Sequence, residues 1–322
     1  MSSGQLEKTI KRVRQRIADK QYYEAQQAIK TVAARLIKAQ HYDDAIEMLY
    51  QGSQELLGAG EGGSGGELSR YLVDTYKTAG TSVNSVSKAR VVQLFTMFKP
   101  EEPRRKDFIQ DAIQWSASGE IKYGDPELHH IFGSAYANED KPYEAERHLL
   151  LGTKESATVL GNLLFDWFAD ESQLEMAPFF ISRAVLGYLS VGNIRDADKS
   201  LNIFIERLLA SGLSVERQNV TSAAGDSVIV FPQLPLLDFF QLLIKACQRP
   251  SQDLFRRLRF RYKDSIKDAG AFDEALDRIG ASFFGIKVRN QGNMLQDLMG
   301  SLLGGPSGGS SGGPAQIGSA LD

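Results

Sequence analysis

The chain of 322 residues is 42% hydrophobic, enough apolar material for a large core or for two domains. Its 37 basic and 40 acidic residues leave a formal net charge of -3, which excludes the domain-wide positive field of a dedicated nucleic-acid binder. The single cysteine, Cys247, excludes an intramolecular disulfide and fits a reducing compartment, and no apolar run is long and unbroken enough to span a bilayer.

The first predicted element is an amphipathic helix. Leu6, Ile10, Val13 and Ile17 fall at i, i+4, i+7 and i+11, one apolar stripe. Lys8, Lys11, Arg12, Arg14, Arg16 and Lys20 decorate the remaining surface, opposed only by Glu7 and Asp19. The stripe needs a second helix to bury it, and the basic face is either simply solvated or set to meet an acidic partner. Because the basic start continues as this helix rather than into an apolar signal core, the chain reads as a soluble cytosolic protein.

A small pattern then repeats. Tyr22-Tyr23-Glu24-Ala25 returns as Tyr42-Asp43-Asp44-Ala45, and later as Pro142-Tyr143-Glu144-Ala145, Ile194-Arg195-Asp196-Ala197 and Phe272-Asp273-Glu274-Ala275. Each reads as the first turn of a helix. The acidic residues suit the positive end of the helix dipole, and the inward alanine lets two backbones approach. Such recurrence predicts an all-α, irregular solenoid of stacked helix pairs, tetratricopeptide-like without a strict period. Aromatic-x-x-alanine also occurs in helical proteins at large, so the pattern gains weight from its repetition.

Between the pairs, the glycine-rich run 58–66 predicts a loop, since glycine loses most backbone entropy in a helix. Lacking a following Gly-Lys-Ser/Thr and a preceding strand, it does not read as a phosphate loop. Pro100 and Pro103 separate two helices, and Asp125-Pro126 starts another, with Asp125 as its cap. Residues 215–221 and 227–231 alternate as strands around Ala223-Ala224-Gly225-Asp226, a hairpin that is marginal alone and must pack on helices, swap or be covered. A helix resumes over 236–246. The ordered fold is expected to end near Gly300, and the glycine- and serine-rich tail 304–322 to be disordered.

No constellation announces chemistry. His41, His129, His130 and His148 share no metal-ligand spacing with Cys247, and adjacent His129 and His130 point to different helix faces. Acid pairs such as Asp43/Asp44 fit helix starts, and no Gly-x-Ser-x-Gly elbow occurs. The reading is a non-enzymatic binding protein with no cofactor and no metal.

Several stretches carry a resemblance. They are Asp19-Lys20-Gln21-Tyr22-Tyr23-Glu24-Ala25-Gln26-Gln27, Tyr42-Asp43-Asp44-Ala45-Ile46-Glu47, Gly62-Gly63-Ser64-Gly65-Gly66-Glu67-Leu68 and Lys122-Tyr123-Gly124-Asp125-Pro126-Glu127-Leu128-His129. Tyr143-Glu144-Ala145-Glu146-Arg147 and Leu295-Gln296-Asp297-Leu298-Met299 continue it. Over residues 5–303 the chain resembles the Golgi-to-ER traffic protein 4 family, in a fungal-like form. The resemblance implies a cytosolic adaptor in tail-anchored protein targeting to the endoplasmic reticulum. Residues 5–150 would engage a targeting ATPase homodimer and restrain its hydrolysis. Residues 151–303 would hold the N-terminal segment of a ubiquitin-like protein, which recruits a co-chaperone carrying the client. A helical-repeat scaffold without ATPase regulation is the alternative.

The resemblance also assigns residues. Lys11, Arg12 and Arg14, with Tyr22, Tyr23, Gln27 and Lys30, would bind the ATPase, and Glu67, presented by the glycine loop, would regulate it. Tyr22 also fits inter-helix packing, which makes Tyr23 the clearer surface residue. Phe231, Leu234, Leu236 and Phe239 would contact the ubiquitin-like partner, core packing being the competing role of the last two. Arg256, Arg257, Arg259 and Arg261 read either as a solvated face or as an electrostatic aid at that end, with membrane or RNA binding as a further alternative.

Overall fold

The first four helices reverse direction on one backbone event. Lys20, Gln40 and Gly60 adopt left-handed φ of 61°, 59° and 83°. The N–H groups of Gln21, His41 and Glu61 then reach back to the carbonyls of Arg16, Leu36 and Leu56 at 2.8, 2.9 and 2.9 Å. That closure satisfies a carbonyl orphaned by the helix end and aims the chain back along it. It recurs at Asp140 and Gly192, where Lys141 and Asn193 bond back to Tyr136 and Tyr188.

The computed structural model describes residues 3–117, 121–171, 173–221, 227–268 and 272–286. The first helices are α1 (Ser3–Ala18), α2 (Tyr22–Lys38), α3 (Tyr42–Gly58), α4 (Gly62–Ala79), α5 (Ser85–Met97) and α6 (Pro103–Ser116). Next come α7 (Pro126–Asn138), α8 (Pro142–Leu149), α9 (Ser156–Glu171), α10 (Ala177–Ser190) and α11 (Ile194–Ala210). A hairpin of β1 (Gln218–Thr221) and β2 (Ser227–Val230) precedes α12 (Pro235–Gln248), α13 (Gln252–Arg261), α14 (Lys263–Asp268) and α15 (Asp273–Phe284). The result is the expected all-α solenoid with a small hairpin late in the chain. Ala25, Ala45, Ala145 and Ala197 of the repeated motif are fully buried, and Ala275 is half-buried. Asp125 caps α7 as its sequence implies, accepting from the N–H groups of Glu127 and Leu128.

The glycine run departs from expectation. Gly60 makes the left-handed turn, but α4 begins at Gly62 and runs through the remaining glycines. Gly62-Gly63-Ser64-Gly65 stands where Tyr22–Ala25 and Tyr42–Ala45 stand, so Gly65 takes the inward alanine's place. A methyl there would lie 2.7 Å from Leu57 Cγ and 2.9 Å from Leu57 N. One at Gly66 would lie 2.6 Å from Arg104 Cβ and 3.0 Å from Phe98 Cε1. Close packing against α3 and α6 offsets the entropy that glycine loses in a helix.

Ion pairs stitch many of the helices to the next but one. They join α1 to α3 (Arg14–Glu55), α2 to α4 (Lys30–Glu67), α3 to α5 (Glu47–Arg90) and α4 to α6 (Arg70–Asp111). The series continues with Lys88–Asp125 between α5 and the cap of α7, Glu146–Arg183 between α8 and α10, and Asp166–Arg207 between α9 and α11. Beneath this ladder one hydrophobic cluster runs from Ile10 to Phe284. No break in the core marks residue 150: Tyr188 Oη on α10 donates to Leu149 O at 3.0 Å.

The strands are shorter than the sequence suggests, pairing antiparallel with Gln218 opposite Val230 and Thr221 opposite Ser227. The expected turn at 223–226, the ending at 295–299 and the tail lie outside the described residues. The hairpin takes the first of its three options and packs on a helix. Gln241 of α12 accepts from Ile229 N at 3.1 Å and donates to Ile229 O at 2.8 Å, standing in for a third strand. Asp238 accepts from Phe231 N at 2.9 Å.

The histidines settle into structural roles. His130 Nδ1 meets Ser156 Oγ at 2.9 Å on one face of α7. On the buried face His129 Nε2 lies 2.8 Å from Tyr123 O and its Nδ1 lies 3.0 Å from His148 Nδ1. A carbonyl only accepts, so His129 donates through Nε2 and its Nδ1 accepts from His148. Burial pushes both imidazoles down, His148 to about 4, so this pair is neutral near pH 7.

Two outcomes follow from these packings. Gly65→Ala is expected to destabilise the protein by ~1–3 kcal/mol through overpacking. Gly63→Ala, whose methyl meets nothing within 4 Å, is expected to stabilise it by about 0.5 kcal/mol; urea denaturation of both reads the contrast. The unfolded imidazoles bind protons near pH 6.5 while folded His148 resists until about pH 4, so the pair's contribution is full above 6.5 and is lost as pH falls through that window. Asp238, raised by burial to about 6, acts in the opposite sense. The stability advantage of the native chain over His148→Gln is therefore expected to shrink by ~2–3 kcal/mol between pH 7 and pH 4, measured by denaturation at each pH.

Candidate partner-binding surfaces

The amphipathic start is built as its spacing implies. Ile10 and Val13 are buried against α2 and α3, and Ile17 is half-buried; the side chain of Leu6 lies outside the described residues. Lys8, Lys11 and Arg12 are exposed with no carboxylate partner among the described residues. Arg14 is different. Its Nε donates to Glu55 Oε1 at 2.7 Å, so it ties α1 to α3 as well as facing solvent.

On α2 the structure separates the two tyrosines. Tyr22 packs against the core, whereas Tyr23 is 68% exposed. Tyr23, Gln27 and Lys30 fall at i, i+4 and i+7, so they share one face of the helix. Lys30 and Thr31 then line an open groove with Glu67 and Tyr71 of α4. The predicted residues Tyr23, Gln27, Lys30 and Glu67 thus lie along two neighbouring helices.

Glu67 sits one turn and a half into α4, not on a loose loop. Its Oε1 accepts from Lys30 Nζ at 2.5 Å and its Oε2 from Gln26 Nε2 at 2.7 Å. The hydrogen bond from Lys30 is the largest cause holding its carboxyl below the usual range, against a smaller desolvation in the other direction. The carboxylate is therefore ionised, aimed and still partly open to solvent. Register by twenties would have found this arrangement: once Gly62 is aligned with Tyr22 and Tyr42, Glu67 matches Gln27 and Glu47, and Glu47 likewise pairs across helices with Arg90.

The C-terminal candidates lie deeper than a surface role suggests. Phe231, Leu234, Leu236 and Phe239 are all buried within the chain, although Leu234 and Leu236 line a small open pocket with Phe179 and Gln233. Phe239 packs on Phe240 and Tyr262 with ring centroids 5.7 and 5.6 Å away. A hairpin followed by alternating apolar residues looks the same in sequence whether its face meets another chain or its own α12. At this end every residue of β1 is exposed. The polar residues that fix the hairpin, Gln241 and Asp238, were missed, although two polar side chains in an otherwise apolar helix start were a usable signal. Of the arginines on α13, Arg259 is drawn inward by Asp273 and Asp277, while Arg256, Arg257 and Arg261 face outward.

As to chemistry, no group of three metal-ligating side chains lies together among the described residues, and no described helix is long and apolar enough to cross a membrane. Cys247 is buried, and burial pushes its thiol up to about 12.

Comparison with known proteins adds the remaining observation. The family model for GET4, Golgi to ER traffic protein 4, matches residues 39–303. Golgi to ER traffic protein 4 of Aspergillus fumigatus is 44% identical over 314 residues, spanning 93% of this chain and 90% of that protein. The protein of that name in Schizosaccharomyces pombe is 31% identical, spanning 91% of this chain and 94% of its own. A crystal structure of C. therm. Get4 superposes with a TM-score of 0.81 at 39% identity, covering 96% of this chain and all of the other. The chain therefore belongs to the Golgi to ER traffic protein 4 family.

Proposed function

We propose that this protein serves traffic to the endoplasmic reticulum as a non-enzymatic cytosolic adaptor that bridges a targeting ATPase homodimer to a ubiquitin-like protein and its co-chaperone. The observation that carries the reading is the surface of α1, α2 and α4, where Lys8, Lys11 and Arg12, without a carboxylate partner among the described residues, accompany an exposed Tyr23 and the Lys30–Glu67 pair. The basic cluster steers an acidic ATPase surface, and Tyr23 supplies an aromatic contact. Glu67 is the regulatory group: already ionised and held by Lys30 and Gln26, it accepts a basic group of the ATPase by exchanging one partner for another. Such an exchange changes little net binding energy but couples to the conformation of the ATPase, which is how it restrains hydrolysis. The C-terminal half, where the hairpin stands on α12, holds the N-terminal segment of the ubiquitin-like protein.

Lys11→Glu combined with Arg12→Glu is expected to weaken association with the ATPase at least tenfold at low salt and to spare the ubiquitin-like protein. Arg14 is left intact because reversing it would also break its contact with Glu55. Titration calorimetry at two salt concentrations reads the effect, and unchanged affinity at low salt removes this surface from the interface. Glu67→Arg is expected to relieve restraint of ATP hydrolysis with much less effect on affinity, and Glu67→Gln to act in the same direction more mildly. Steady-state hydrolysis at saturating adaptor, beside a binding isotherm, decides it; equal restraint by all three proteins assigns Glu67 to the inter-helix ladder alone.

A further inference from the structure

No contact among the described residues explains the outward face of α13. Phe260 is 72% exposed and Leu254 is 46% exposed, on a helix whose inner residues Phe255 and Leu258 are buried. Phe255 stacks on Phe284 of α15 at 4.4 Å, and Arg259 bridges Asp273 and Asp277, so the helix is fixed in rotation about its axis. That fixed rotation turns Arg256, Arg257, Phe260 and Arg261 to solvent on neighbouring turns. Arg257 meets Asp253 at 2.9 Å, but both side chains are largely exposed, so the bridge is weak. Arg256 and Arg261 have no ion-pair partner among the described residues. Lys263 adds a further cation, its Nζ 5.2 Å from the ring of Phe260.

We propose that this face of α13 rests on an anionic lipid surface. Three arginines and a lysine match a negatively charged leaflet, against Asp253 and the exposed Asp264 as the acids beside them. A phenylalanine left this exposed projects from the helix instead of lining a groove. A soft interfacial layer accepts such a ring without a preformed pocket, while the arginine stems lie along the surface and keep their charges at headgroup level. The attachment is peripheral and reversible, since a single helix of ten residues buries little. It lies apart from the basic face of α1, so the protein would meet its ATPase partner and a membrane through different helices.

Cosedimentation of the full chain with vesicles tests it. The protein is expected to bind phosphatidylcholine vesicles containing phosphatidylserine, to lose that binding as salt is raised, and to ignore pure phosphatidylcholine. Arg256→Glu with Arg257→Glu should lower binding about tenfold or more, and Phe260→Ser several-fold, with thermal unfolding unchanged in each. Lys11→Glu with Arg12→Glu should bind vesicles as the native chain does. Absence of binding overturns the proposal, as does equal binding to the neutral vesicles. Loss of binding in the α1 variant but not in the α13 variants overturns it too. Capture by an acidic polypeptide such as polyglutamate, with no retention on vesicles, reassigns the face to an acidic protein.

Discussion

Reversal of the chain through a single left-handed residue is the constraint on which the first four helices depend. A helix can end in many ways, but closing it with a residue at φ near 60° and a bond back to the carbonyl five positions earlier returns the chain along its own axis within two residues. Lys20, Gln40 and Gly60 do this at equal intervals, so α2, α3 and α4 start in register and present their fourth residue to the preceding helix. What that position needs is a small side chain. Ala25 and Ala45 meet the need with a methyl group, and Gly65, set against Leu57, meets it with none.

The same register places the candidate surface. Gln27, Glu47 and Glu67 hold equivalent positions, each on the flank of its helix, where a side chain can reach the parallel helix two places away. Glu47 reaches Arg90 and Glu67 reaches Lys30. A carboxylate with regulatory potential is thus a by-product of the packing rule, positioned by rigid helices on both sides. Its neighbour Tyr23 stands on the face that α2 does not need for packing, and for that reason it remains free for a partner while Tyr22 does not.

Much of this was legible in the sequence, and the parts that were not share a physical reason. Helix starts at Tyr22, Tyr42, Pro142 and Ile194, the cap at Asp125 and the break at Pro100–Pro103 all follow from local chemistry acting over a few residues. The helical glycine run does not, because its stability comes from Leu57, Phe98 and Arg104, which local propensity cannot see. The burial of Phe231 and Leu234 escaped, and that of Leu236 and Phe239 stood only as an alternative, for a related reason: apolar spacing says that a face is covered but not by what. Only Gln241 and Asp238, polar groups whose hydrogen bonds must be satisfied somewhere, carried a hint that α12 itself was the cover.

The ladder of ion pairs between alternate helices has a mechanical consequence. Alternate helices also pack on one another, as where Arg104 of α6 lies against Gly66 of α4 and where Phe165 and Phe168 of α9 meet Phe204 of α11, so the stack is close-packed across its faces as well as along its seam. The charge pairs lie outside that packing, partly solvated and screened by salt, and each contributes little to holding the stack together. A ligand that takes over one of them, as at Lys30–Glu67, therefore exchanges one surface partner for another while the helices beneath keep their places. Such a solenoid behaves as a rigid ruler whose surface charges can be traded without changing its length.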